Sequence, residues 1–116
     1  MLSSEEIVRF HEEGYLVFER LINGPSLAHY LSIFGELVER SRSMSESTNS
    51  FSLELDREER PIRGMLHKVQ SVCIVEPRIL LLAKEAAILD RVEKLIGPDI
   101  DVFGTKFFPK LAGGGT

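Results

Sequence analysis

The chain has 116 residues, 43% of them hydrophobic and 28% charged, and its 14 basic against 18 acidic side chains leave a net charge of −4. That length allows one modest domain at most, the composition excludes wholesale disorder, and the acidic balance offers no footprint for a nucleic-acid backbone. One cysteine, Cys73, leaves no intramolecular disulfide and no cysteine zinc cluster; with acids at the N-terminus and no apolar run near ~18 residues, the expected compartment is the cytosol, without a membrane span or anchor.

The first predicted element is a helix. Ser3 is its N-cap, set to bond the amide of Glu6, whose carboxylate reaches back, and Gly14 supplies the left-handed position that ends it. Tyr15 to Phe18 is a compact aromatic and β-branched run that predicts a strand. Asn23-Gly24-Pro25-Ser26 then turns into a second helix, in which Leu27, Tyr30, Leu31, Phe34, Leu37 and Val38 form an apolar stripe at spacings of three and four. From Ser41 to about Arg60 the chain becomes serine-rich and then densely charged, which predicts a mobile loop, either a functional one such as a lid or a disordered one. An extended segment is expected around Leu66 to Val72. Pro77 then opens two helical pieces, Ile79 to Ala83 and a second carrying Ala87, Ile88, Val92, Leu95 and Ile96, stopped by Gly97-Pro98. Val102, Phe103, Lys106, Phe107 and Phe108 predict a last strand over Asp101 to Phe108, with one Phe ring on each of two covered faces. The fold class is therefore α+β, in one unit over 1–116.

Chemistry-bearing residues are sparse. His11, His29 and His67 stand alone, none with a carboxylate two residues on, so no His-x-Asp metal pair is present. His11 and His29 read as surface or partly buried residues with satisfied ring nitrogens, and Cys73, among Val72, Ile74 and Val75, as a buried small hydrophobe rather than an activated thiol. The pairs Glu5-Glu6, Glu12-Glu13 and Glu58-Glu59 read as a helix start, a helix end and a solvated loop. The Gly113-Gly114-Gly115-Thr116 tail lacks the Lys-Ser/Thr and following helix of a phosphate loop. Lys68 and Lys106 are the exceptions. Each is an ammonium in an apolar, strand-like stretch, where a cation is costly without an anion or an exit to solvent.

Four segments in order, Leu2-Ser-Ser-Glu-Glu-Ile-x-x-Phe10 with Glu13-Gly-Tyr-Leu-Val-Phe18, Lys68-Val-Gln70, Leu95-Ile-Gly-Pro-Asp-Ile100 and Lys106-Phe-Phe-Pro-Lys110, together resemble the opening of the phytanoyl-CoA dioxygenase family. The resemblance covers nearly the whole chain, although no single segment is specific. It implies an iron(II)- and 2-oxoglutarate-dependent oxygenase that hydroxylates a small organic or lipid-like substrate. It also implies the N-terminal helices and strands of a double-stranded β-helix, or jelly roll, with the core incomplete. The family's iron is held by a His-x-Asp pair and a distal His, with an Arg further on for the cosubstrate. In the family the His-x-Asp follows soon after the segment seen here at Pro109 to Thr116, with the triple glycine as the hinge before it.

None of those ligands occurs in these residues, so the expectation is that this chain by itself binds neither iron nor 2-oxoglutarate and is inactive. What carries over is Lys68, at the position of a family lysine that reaches a carboxylate of 2-oxoglutarate. Lys106 carries over less directly, matching a position that lines the same pocket. The rival reading is a small non-enzymatic α+β interaction module. For a part of a jelly roll, open strand edges predict self-association.

Overall fold

The computed structural model describes residues 1–113, so Gly114 to Thr116, and with them most of the expected glycine hinge, lie outside the described residues. Helix α1 spans Ser4–Glu13. Its capping box forms as the sequence predicts, with Ser3 Oγ accepting from the Glu6 amide and Glu6 Oε1 accepting from the Ser3 amide, both at 3.1 Å. The backbone bond from Ser3 comes first among the causes that hold the Glu6 carboxyl below its ordinary value. Gly14, at φ 86, closes the helix. No strand follows at Tyr15 to Phe18. Leu16 and Phe18 are half-buried and Tyr15 and Val17 exposed, and the Arg91 guanidinium sits 5.4 Å from the Phe18 ring, so this run packs on a helix where the expectation had a sheet.

Helix α2, Gly24–Ser41, starts at Asn23 with Pro25 in its first turn. Its buried side chains are Tyr30, Ile33, Leu37 and Ser41, with Phe34 and Val38 packed beside them, whereas Leu27 and Leu31 are exposed. The inward face is thus rotated from the expected stripe towards Ile33, which is only 1% exposed. The Tyr30 hydroxyl donates to Glu85 Oε1 at 2.9 Å, and burial, then that bond, pushes its pKa up.

The segment expected as a mobile loop, 41–60, contains strand β1, Phe51–Leu55. Phe51 and Leu53 are buried and alternate with Ser52 and Glu54, the period of a strand with one covered face. Asp56 Oδ1 accepts from the amides of Glu58 and Arg60, both at 2.9 Å, and the hairpin returns into β2, Pro61–Gln70. β2 pairs antiparallel with β1, and β3, Lys106–Phe107, pairs antiparallel with β2, giving the sheet order β1-β2-β3. The expected strand over 101–108 shrinks to those two residues for a reason that lies in β2. Ser71, at φ 54, turns the chain out of the sheet into α3, Val72–Val75, so the part of the segment before Lys106 has nothing to pair with. A 3₁₀ turn at Pro77–Ile79, α4 at Leu80–Ala83 and α5 at Ala86–Ile96 follow, and Gly97 ends α5, all as expected.

The core joins Tyr30, Ile33 and Leu37 of α2 to Phe51, Leu66 and Val69 of the sheet and to Val72 and Ile79. Each side chain fully withdrawn from water there contributes about 1.5–3 kcal/mol. Arg78 ties the 3₁₀ turn to α2 by pairing with Glu36 and, at 2.8 Å, with Glu76. Bonds from the Arg78 side chain, then from its amide, hold Glu76 at about 2, against an ordinary 4.5. A depressed carboxyl stabilises the fold above its ordinary value and loses that contribution as pH falls through the folded one. The stability gap between the native chain and Glu76→Gln in urea unfolding is therefore expected to be constant above pH 4.5 and to shrink towards about 2. A gap that stays constant over that range contradicts the assignment.

The molecule is extended, with a radius of gyration of 17.2 Å, where a compact domain of this length has about 13 Å. Its accessible surface of 8425 Å² exceeds by roughly 2,000 Å² what a self-contained globule of this mass exposes. Phe103, at 105% exposure, is the extreme case.

Candidate functional site

One face of the sheet packs on α2, and the other is turned away from the core. Strand alternation puts Phe51, Leu53, Val69 and Phe107 on the core side and Ser52, Glu54, Lys68, Gln70, Lys106 and Phe108 on the outer side. The ladder is irregular where it matters. Ser52 is paired with Lys68 but Leu53 with Leu66, so His67 is an extra residue in β2. A bulge of this kind turns two successive side chains towards one face. Here it sets His67 next to Lys68 on the outer side and keeps Leu66 in the core, at 1% exposure.

His67 Nδ1 lies 2.8 Å from Glu54 Oε1, and its ring meets Phe108 edge-on at 5.5 Å. A carboxylate on one ring nitrogen fixes the imidazole's orientation and leaves the other nitrogen for a further partner. Ser47, Ser52, Glu54 and His67 line a hollow of about 530 Å³. Among the described residues this pair is the site's one feature that sequence reasoning missed. The strict alternation of Phe51-Ser52-Leu53-Glu54-Leu55 could have placed Glu54 on a strand, but nothing local could have paired it with His67.

Lys68 is half-buried and Lys106 exposed. The register sets Lys106 opposite Gln70, two residues along β2 from Lys68. That makes the two lysines diagonal neighbours on one face, at a separation of roughly 7–8 Å. Among the described residues no carboxylate pairs with either ammonium. The structure therefore brings the two predicted lysines onto one face and gives neither an ion pair among the described residues. His11 on α1 and His29 on α2 are exposed, and Cys73 is half-buried beside the core rather than enclosed in it.

The two outer edges of the sheet differ. At β1, Thr48 Oγ1 accepts from the Phe51 amide and Ser47 Oγ from the Leu53 amide, both at 3.0 Å, while the Thr48 amide donates to the Phe51 carbonyl at 2.8 Å. The serine-rich segment thus closes an edge that the sequence led us to expect open.

Iron and 2-oxoglutarate can be compared with what these side chains offer. No group of three His, Cys, Asp or Glu side chains that could hold a metal converges among the described residues. A site with two histidines and a carboxylate needs such a group, so the described residues do not fit iron by themselves. Two unpaired ammoniums on one face do fit a dianion such as 2-oxoglutarate. No helix among the described residues is long and apolar enough to cross a membrane. No family model matches the chain, and no curated protein or solved structure matches it.

Proposed function

We propose that this chain is the N-terminal part of a cytosolic iron(II)- and 2-oxoglutarate-dependent oxygenase of the phytanoyl-CoA dioxygenase type, with its outer sheet face turned towards the cosubstrate inside a jelly roll. The observation that supports the reading is the pair of ammoniums without an ion pair among the described residues, Lys68 and Lys106, diagonal neighbours on the sheet face away from the core. Lys68 is half-buried, so its charge is the costlier to leave unpaired, and a carboxylate of 2-oxoglutarate supplies the missing partner through a charge-assisted bond. Lys106 adds a second positive charge to the same face. The exposed apolar residues, Phe103 foremost, agree with a unit that is covered by further structure. In this reading the iron ligands lie on polypeptide beyond Thr116, and a small organic or lipid-like substrate is hydroxylated there.

Reading the encoding gene onward from the Thr116 codon tests the proposal. The expected continuation carries a His-x-Asp within a few residues and a later His and Arg. A stop codon, or a continuation without them, overturns the oxygenase reading and leaves the interaction module.

A further inference from the structure

Unlike the β1 edge, the β3 edge is left uncapped, and we infer that it pairs with the β3 edge of a second copy of this chain across a two-fold axis. The direction of the peptide groups follows from β2. The Gln70 amide donates to the Ser50 carbonyl at 2.7 Å, so the backbone groups of Gln70 face β1 and those of Val69, one residue back, face β3. Phe107, the partner of Val69, turns its own N–H and C=O to β2. Alternation then points the N–H and C=O of both Lys106 and Phe108 outward, where no hydrogen bond from a described residue reaches them. This is the complement of what a second strand needs.

Charge and backbone select the register. An antiparallel pair centred on Lys106 would oppose the two ammoniums, and like charges directly opposite are unfavourable; one centred on Phe108 would set Lys106 opposite the partner's Lys110, where the backbone, at φ 52, has left the extended conformation and offers no strand to pair with. Centring on Phe107 avoids both. Lys106 then exchanges its two backbone bonds with the partner's Phe108, and the two-fold repeats the exchange. On the outer face each ammonium lies against the partner's Phe108 ring, a cation–π arrangement. On the core face the two Phe107 rings meet beside an apolar groove of about 380 Å³ lined by Phe34, Ile79 and Leu82, among others. A standard interface takes about 800 Å² from each partner, and the surface excess of roughly 2,000 Å² over a self-contained globule accommodates it. The inference does not rest on the oxygenase reading.

Sedimentation equilibrium tests it on the 116-residue chain. The native chain is expected at twice its 13.1 kDa mass. Phe108→Glu places a carboxylate opposite the partner's Lys106 and keeps or tightens the dimer, whereas Phe108→Lys opposes two ammoniums twice and weakens it by about tenfold or more. Phe108 is 44% exposed, so both variants are expected to fold, with circular dichroism as the check. Lys106→Pro removes an outward N–H without touching the bonds to β2 and is expected to be monomeric. A native chain that is monomeric at high micromolar concentration overturns the inference. So does equal dissociation by folded Glu and Lys variants, or a dimer that Lys106→Pro leaves intact.

Discussion

Gly64→Ala is expected to lower stability by about 3 kcal/mol, roughly 10 °C in Tm, the largest loss from removing no contact at all. Gly64 sits in β2 at φ 70, a conformation that costs a side-chain-bearing residue energy whatever its surroundings. Its surroundings are also closed, because a Cβ there would lie 2.7 Å from the Arg42 carbonyl oxygen, closer than such atoms approach. Neither backbone can give way easily. The Gly64 amide donates to the Met44 carbonyl at 2.9 Å, and the same stretch leads into the Ser47 and Thr48 caps of β1. The close approach is what lays the 42–48 segment along the sheet. Gly35, in α2, is the internal control: it has no positive φ, and a Cβ added to it would meet nothing within 4 Å, so Gly35→Ala is expected to stabilise by about 0.5–1 kcal/mol. Equilibrium urea unfolding of the two variants reads both signs. A Gly64→Ala chain as stable as the native one would show that the segment does not lie against β2 as described.

The elements legible in the sequence are those whose signals are local. Ser3 and Glu6 specify the start of α1, Gly14 its end, Pro25 the start of α2 and Gly97-Pro98 the end of α5, because caps and chain stiffness act within a few residues. The sheet is harder. Serine and charge around it mask the alternation of Phe51 to Leu55, and a short aromatic and β-branched run, Tyr15 to Phe18, imitates a strand that has no partner. The sequence overextends β3 because its limit is set by Ser71, more than thirty residues earlier, where β2 leaves the sheet. Lys68 and Lys106 are visible as cations in apolar stretches. Their sharing of one face, and the meeting of His67 with Glu54, depend on strand register and on a bulge, which no local pattern encodes.

Lys68→Ala is expected to change function more than fold. Its side chain makes no ion pair with a described residue, so truncation removes no structural contact of that kind, and stability should shift little. A charge-assisted bond to a carboxylate is worth about 1.5–3 kcal/mol, which corresponds to roughly ten- to hundredfold in affinity. Lys106 is exposed, and solvent weakens its contribution, so Lys106→Ala should have the smaller effect. Uniform loss of cosubstrate binding appears in KM with kcat little changed. On the oxygenase proposal, the most direct measurement is the apparent KM for 2-oxoglutarate in a polypeptide that includes the iron ligands the proposal places after Thr116, native against Lys68→Ala. A rise of roughly ten- to hundredfold, with the melting temperature held, is the predicted result; an unchanged KM would contradict the placement of 2-oxoglutarate on this face.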